Sequence, residues 1–222
     1  MRHFTELCLK PEKTEELLSA VKALGYSSIG LTQKVKTGDL DIVSRLDLDP
    51  RNPNDLNNSL KSSRWRTEII TVNCISKSVA RQAGRDNRVD LVKFPVTDKW
   101  KQNYLDRPQA GLMRDSGCGY LIDLSLLLVD DQYLLRKRIE FLKRNIHNAL
   151  KKAVPVVASS CAFDVWGLRD PYGLASLLSL LDIDEEHALE MVSSVPEKLV
   201  ERNREKMTKS YIVPGVWVIE DM

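Results

Sequence analysis

In the segment SSCAFDVWGLRDPYGLASLLSLL (Ser159–Leu181) a lone arginine, Arg169, stands one residue before an Asp-Pro pair among mostly apolar neighbours. Asp170 is a residue type that caps helices, and Pro171 has the fixed φ that suits a first helical position. Leu174, Leu177, Leu178 and Leu181 then recur at helical spacing. Arg169 therefore sits between a strand-like run, Val154–Ser160, and a helix start. A guanidinium beside free helix-terminal N–H groups suits a phosphate. Simple pairing with Asp164 or Asp170 would explain it equally well.

Other basic residues stand near strand ends. Arg88 and Lys93 flank the run VDLVKFP, and Arg136, Lys137 and Arg138 crowd the start of a long amphipathic pattern. Arg64 and Arg66 bracket Trp65. That trio reads either as a stacking platform for RNA or as a core tryptophan entering a strand. Metal chemistry lacks material: the three histidines, His3, His147 and His187, have no ligand spacing. The four cysteines form no CxxC pair and read as buried thiols. Phosphate-binding Gly loops and a G-x-S-x-G elbow are missing from the sequence. DIDEE (Asp182–Glu186) reads as an acidic helix start.

The elements that must carry these residues alternate. Strands are expected at His3–Leu9, Ser27–Leu31, Arg64–Cys74, Val89–Pro95, within CGYLIDLSLLL, at Val154–Ser160, and in the closing YIVPGVWVI. Helical patterns lie between most of them. Such alternation points to an α/β protein with a parallel sheet, preferably a closed (β/α) barrel in one domain, residues 1–222. Residues 33–63, rich in Asn, Asp and Ser, are expected as a polar insertion or mobile loop.

Net charge is only +2, yet residues 61–88 hold seven Lys/Arg against two acids, and residues 130–152 seven against three. Either run could steer a polyanion or simply be a solvated helix face. No apolar run reaches the ~20 residues of a membrane helix. The first residues lack a signal peptide's apolar centre, so no membrane association and a cytoplasmic location are expected.

The carboxyl half, VVASSCAFDVWGLRDPYGLASLLSLLDIDEEHALEMVSSVPEKLVER, resembles the ribonuclease P protein component 3 family, the archaeal counterpart of the eukaryotic thirty-kilodalton ribonuclease P subunit. The Ser159-Ser160 pair, Arg169-x-Pro171 and the leucine-rich helix carry the likeness, with RVDLVKFP (Arg88–Pro95) and FTELCLKPEKTEELLSAVKALGYSSIGL (Phe4–Leu31) upstream. The resemblance implies a TIM-like barrel related to polymerase-and-histidinol-phosphatase hydrolases. Their His-x-His positions are occupied here by Cys8 and Lys10, which implies no metal ligands and no catalytic residue in the protein itself. It implies a subunit of an endoribonuclease whose RNA, using magnesium ions, removes the 5′ leader of precursor tRNA. The implied partners are that RNA, the precursor tRNA within the holoenzyme, and ribonuclease P protein component 2, as a heterotetramer of two pairs. RNA contact is implied for basic residues at the barrel's C-terminal rim. Arg169 carries over through its motif, and Arg88, Lys93, Arg114 and Arg136 through position and charge. Two positions depart from the family pattern: Ser125 stands where an arginine is common, and Gly173 where an acid is common. The alternative function is an autonomous metal-dependent phosphoesterase of the same fold.

Overall fold

The computed structural model describes residues 2–12, 14–35, 38, 40–97, 100–208, 211–213 and 216–217. Seven strands run parallel in sequence order: β1 (Thr5–Glu6), β2 (Ser28–Leu31), β3 (Asp41–Leu48), β4 (Ile69–Asn73), β5 (Leu91–Lys93), β6 (Gly119–Asp123) and β7 (Val156–Ser159). The helices that join or follow them are α1 (Thr14–Ala23), α2 (Pro53–Ser63), α3 (Lys77–Arg85), α4 (Arg107–Ser116), α5 (Gln132–Leu150), α6 (Pro171–Leu177), α7 (Glu185–Met191) and α8 (Ser194–Lys206). Parallel strands need such crossovers, and both sheet faces are consequently buried. The result is the expected (β/α) barrel.

Side-chain alternation divides the core in two. One set, including Leu17, Leu56, Val79, Met113, Phe141 and Leu174, packs between the sheet and the helices. The other, Leu7, Val43, Ile69, Leu91, Leu121 and Val157, fills the barrel interior with Leu199 and Val200 of α8. Each such side chain contributes roughly 1.5–3 kcal/mol by leaving water.

α8 plugs the N-terminal end, and a buried carboxylate locks it there. Asp90 accepts hydrogen bonds from Arg64 (2.5 Å), Ile70 N (2.8 Å), Arg202 (3.2 Å) and Asn203 (2.7 Å). Arg204 adds bonds to Glu68 at 2.5 Å and to both Asp41 oxygens at 2.8 and 2.9 Å.

The seam between β7 and β1 has no strand ladder among the described residues. The buried Glu6 carboxylate closes it. One oxygen accepts from Ser159 Oγ and from Cys8 N (3.3 Å), the other from Ser160 N (2.9 Å). Beyond it, Lys10 N donates to Ala162 O at 2.9 Å and Glu12 N to Phe163 O at 3.0 Å.

Three sequence expectations need correction. The stretch 33–63 is not an insertion: it contains β3, central to the sheet, and α2. Asn52 caps α2 by accepting from Asp55 N, and Leu56 and Leu60 form its buried stripe. The polar residues cap that helix or cover its outer face. The closing tail is not a barrel strand. Its described parts, β8 (Tyr211–Val213) and β9 (Val216–Trp217), form a separate antiparallel pair, and the rest lies outside the described residues. The expected strand count of seven thus stands with one member exchanged. Trp65 is not core: it is 77% exposed, on a 3-10 turn (Arg64–Arg66) before β4.

Candidate functional site

Because every barrel strand points the same way, their C-terminal ends share one mouth, where ligands bind in such folds. Arg45 crosses it from β3. Its Nη1 donates to Leu7 O (2.7 Å) and Gly30 O (3.2 Å), and its Nη2 to Leu9 O (3.0 Å) and Asp47 (3.0 Å). Gly30 is required beneath this arrangement, since a Cβ there would fall 2.2 Å from Leu7 O. Lys93, from the end of β5, pairs with Asp123 of β6 at 3.2 Å.

Cys8 and Cys161 meet beside these cations. The hydrogen bond with Cys161, helped by Arg45 and Lys93, overcomes burial and pulls the Cys8 thiol below its ordinary value. Burial and the neighbouring Cys8 push Cys161 well up. Burial opposes the Lys93 ammonium, but the Asp123 carboxylate beside it helps to hold it charged. Burial also raises Glu6, against the bonds from Ser159 and Ser160. Arg45 Nε, Asp47 Oδ1, Thr71 Oγ1 and Asn73 Oδ1 have no protein partner among the described residues, so the interior of the mouth is polar.

As a metal cage this donor set does not fit. Two fixed cations, Arg45 and Lys93, stand beside the thiols, and Glu6 is committed to the seam. The described residues contain no group of three or more His, Cys, Asp or Glu able to hold an ion.

The rim is built from the loops that leave the strands. Asp170 caps α6 by accepting from Tyr172 N and Gly173 N, and Asp164 accepts from Gly167 N at 2.9 Å. Both acids that might have paired with Arg169 are thus engaged by backbone. Arg169 Nη1 instead donates to Trp166 O (2.9 Å) and Leu168 O (2.6 Å), while Tyr26 Oη donates to the Arg169 carbonyl at 3.0 Å. The Nε–Nη2 edge has no bond among the described residues, and the side chain is exposed. That edge is the one that grips a phosphate with two parallel bonds. Around it stand Phe163, Trp166 and Tyr172, exposed by 51%, 84% and 59%.

The structure brings only part of the expected set together. Arg169 lies on the β7–α6 loop, Lys93 inside the mouth, and Arg136, exposed, in the first turns of α5 at the same end. Arg88 and Arg114 lie at the opposite end. Arg88 precedes β5 and is held by Asp86 (2.7 Å) and Asn57 (2.5 Å); Arg114 sits in the last turn of α4 and bonds Asp115 at 2.8 Å. A residue just before a parallel strand, or ending the helix that feeds one, must lie at the N-terminal face. The C-terminal-rim placement is corrected for both. At the departure positions, Ser125 donates to Asp123 at 2.5 Å, and Gly173 packs so closely that a Cβ would meet Asp170 at 2.7 Å.

The sequence reading gave no role to Phe163, Trp166 or Arg45. For the aromatics a signal existed: they lie in a Gly- and Asp-bearing stretch between strand and helix, where side chains face solvent.

The family model for "RNase P subunit p30" matches residues 3–208. Ribonuclease P protein component 3 of Methanosarcina mazei is 28% identical, covering 93% of this chain and 89% of that protein. The same component of Methanosarcina barkeri is 27% identical over 95% and 91%. Among solved structures, a chain of archaeal ribonuclease P with mature tRNA superposes with a TM-score of 0.84 at 19% identity, covering 98% of each chain. A less similar solved structure, A. niger ochratoxinase, gives 0.59 at 10% identity, over 90% of this chain and 71% of that one. With nearly its whole length matched, this chain belongs to the ribonuclease P subunit p30 family.

Proposed function

We propose that this chain is a protein subunit of ribonuclease P and supports the catalytic RNA as it removes the 5′ leader from precursor tRNA. The family match over residues 3–208 carries this reading. Within it, the barrel is a scaffold: its N-terminal end is consumed by α8, and its C-terminal rim offers Arg169, with an unspent guanidinium edge, and exposed Arg136 to RNA phosphates. Lys93 contributes charge from within the mouth but spends its ammonium on Asp123. The protein partner in this reading is ribonuclease P protein component 2, in two pairs; magnesium belongs to the RNA, and the site of action is the cytoplasm. The autonomous phosphoesterase is disfavoured, because the mouth carries fixed cations where that reaction would need metal ligands.

The test is reconstitution of precursor-tRNA cleavage from the RNA and its protein subunits. Omitting this chain should slow cleavage, and Arg169→Ala should weaken RNA association without unfolding the domain, as circular dichroism checks. Cleavage that proceeds equally with and without the chain refutes the function; full activity of R169A refutes the role of that residue alone.

A further inference from the structure

Beside the Arg169 loop, and distinct from its guanidinium, lies a cleft of about 190 Å³ between the β1–α1 and β7–α6 connections. Its lining includes three acidic residues, Glu12, Glu16 and Asp164, and two aromatic ones, Phe163 and Trp166. Leu17, fully buried, lines it too. We propose that this cleft receives a cationic side chain, an arginine or lysine, of a protein partner.

Charge and shape argue for it together. Glu12 and Glu16 make no ion pair among the described residues, and Asp164 spends one oxygen on Gly167 N. A phosphate entering would face three carboxylates, whereas a guanidinium or ammonium would meet three acceptors. The aromatic walls favour the same ligand, because a ring face attracts a cation. The chain's own Lys10 Nζ lies 5.9 Å from the Phe163 ring centroid, while the exposed Trp166 ring has no cation over it among the described residues. The cleft is also preformed, since the bonds Lys10 N–Ala162 O and Glu12 N–Phe163 O fix its two sides at 2.9 and 3.0 Å. Acids near the start of α1 would be expected for the helix alone. That explanation leaves unexplained why an indole 84% exposed should border the same space. Proteins that assemble on RNA carry surplus arginine and lysine. In taking the partner from the same ribonucleoprotein, the inference rests on the proposed function.

The test uses the full-length chain and a fluorescein-labelled hexa-arginine peptide, read by anisotropy at low salt, and in separate samples fluorescein-labelled decauridylate without the peptide. Wild type should bind the peptide, and Trp166→Ala should leave decauridylate affinity unchanged. Glu12→Gln with Glu16→Gln, and separately Trp166→Ala, should each weaken binding about tenfold or more. These side chains are exposed, and circular dichroism checks that the variants fold. Omitting the chain from reconstituted precursor-tRNA cleavage reads the RNA function independently of the cleft, so failure here and failure of the RNA reading remain separable. Peptide affinity within about twofold of wild type in both cleft variants overturns the proposal. So does a loss of decauridylate affinity in Trp166→Ala, which would assign the aromatics to RNA.

Discussion

Arg45→Met tests whether one guanidinium holds the mouth of the barrel. The side chain is fully buried and donates four bonds, three to carbonyls of β2 and the segment after β1 and one to Asp47. Bonds from a charged donor net about 1.5–3 kcal/mol each. Four of them do not add independently, because they share one group. Asp47 is 30% exposed, so water takes over part of its share. Breaking a buried pair from one side costs about 3–5 kcal/mol, and roughly 4 kcal/mol is the expected loss here. For a chain of this size each kcal/mol moves Tm by about 2–4 °C, so melting should fall by roughly 8–16 °C. Calorimetry and urea unfolding at neutral pH give the measurement. The double variant R45M/D47L, which also removes the stranded carboxylate, should recover part of the loss. A Tm of R45M within about 2 °C of wild type would show that water replaces the guanidinium without penalty, and the argument would fail.

Two further outcomes follow from the fold. Burial raises Asp106, but bonds from Arg81, Lys77 and Gln109 N outweigh it and hold the carboxyl well below its ordinary 3.8. A depressed folded value means stability that is present above the unfolded value and lost as pH falls below it. The urea midpoint should therefore drop below about pH 4, and Asp106→Asn should start lower at neutral pH and drop less. Glu6, raised above 4.5 by burial, acts in the opposite sense: its contribution is full below that value and is lost as pH rises. Loss of stability in acid that is identical in wild type and D106N would rule out the Asp106 argument. Trp65→Ala should change unfolding free energy by no more than about 0.5 kcal/mol, as its ring is in solvent; a loss of several kcal/mol would mean that the ring is buried after all.

Much of the barrel was legible because most of its strands are nearly continuous apolar runs and α4, α5, α6 and α7 are capped by Asp. Asp170–Pro171 and the leucines behind it form the expected helix start. β3 was not legible, for a physical reason. Arg45 interrupts its apolar run, and carbonyls of β2 and of the segment after β1, together with Asp47, make a charge tolerable there. Trp65 misled in the opposite direction, since an aromatic before an apolar run looks like the start of a strand until the chain is seen to turn first. Cys8 and Cys161 were legible as buried thiols, but not as a pair, because 153 residues separate Glu6 from the Ser159 that closes the seam beside them.

The distribution of spent and unspent donors decides which charges can meet RNA. The basic run 61–88 suggested a polyanion site, yet of its seven cations Arg64 binds Asp90, Lys77 and Arg81 bind Asp106, Arg85 binds Gln82, and Arg88 binds Asp86, while Lys61 and Arg66 stay exposed. For those five, release to a phosphate would cost the fold the bonds they already make. Arg169 differs because the groups it holds are its own loop's carbonyls, gripped by a single nitrogen. The same nitrogen that orders the loop aims the free edge outward. A phosphate would add bonds there without breaking any, whereas at Arg88 it would have to displace Asp86. In the proposed reading, five of the seven cations of the run 61–88 would have to give up a bond to meet RNA, whereas Arg169 keeps a guanidinium edge to offer.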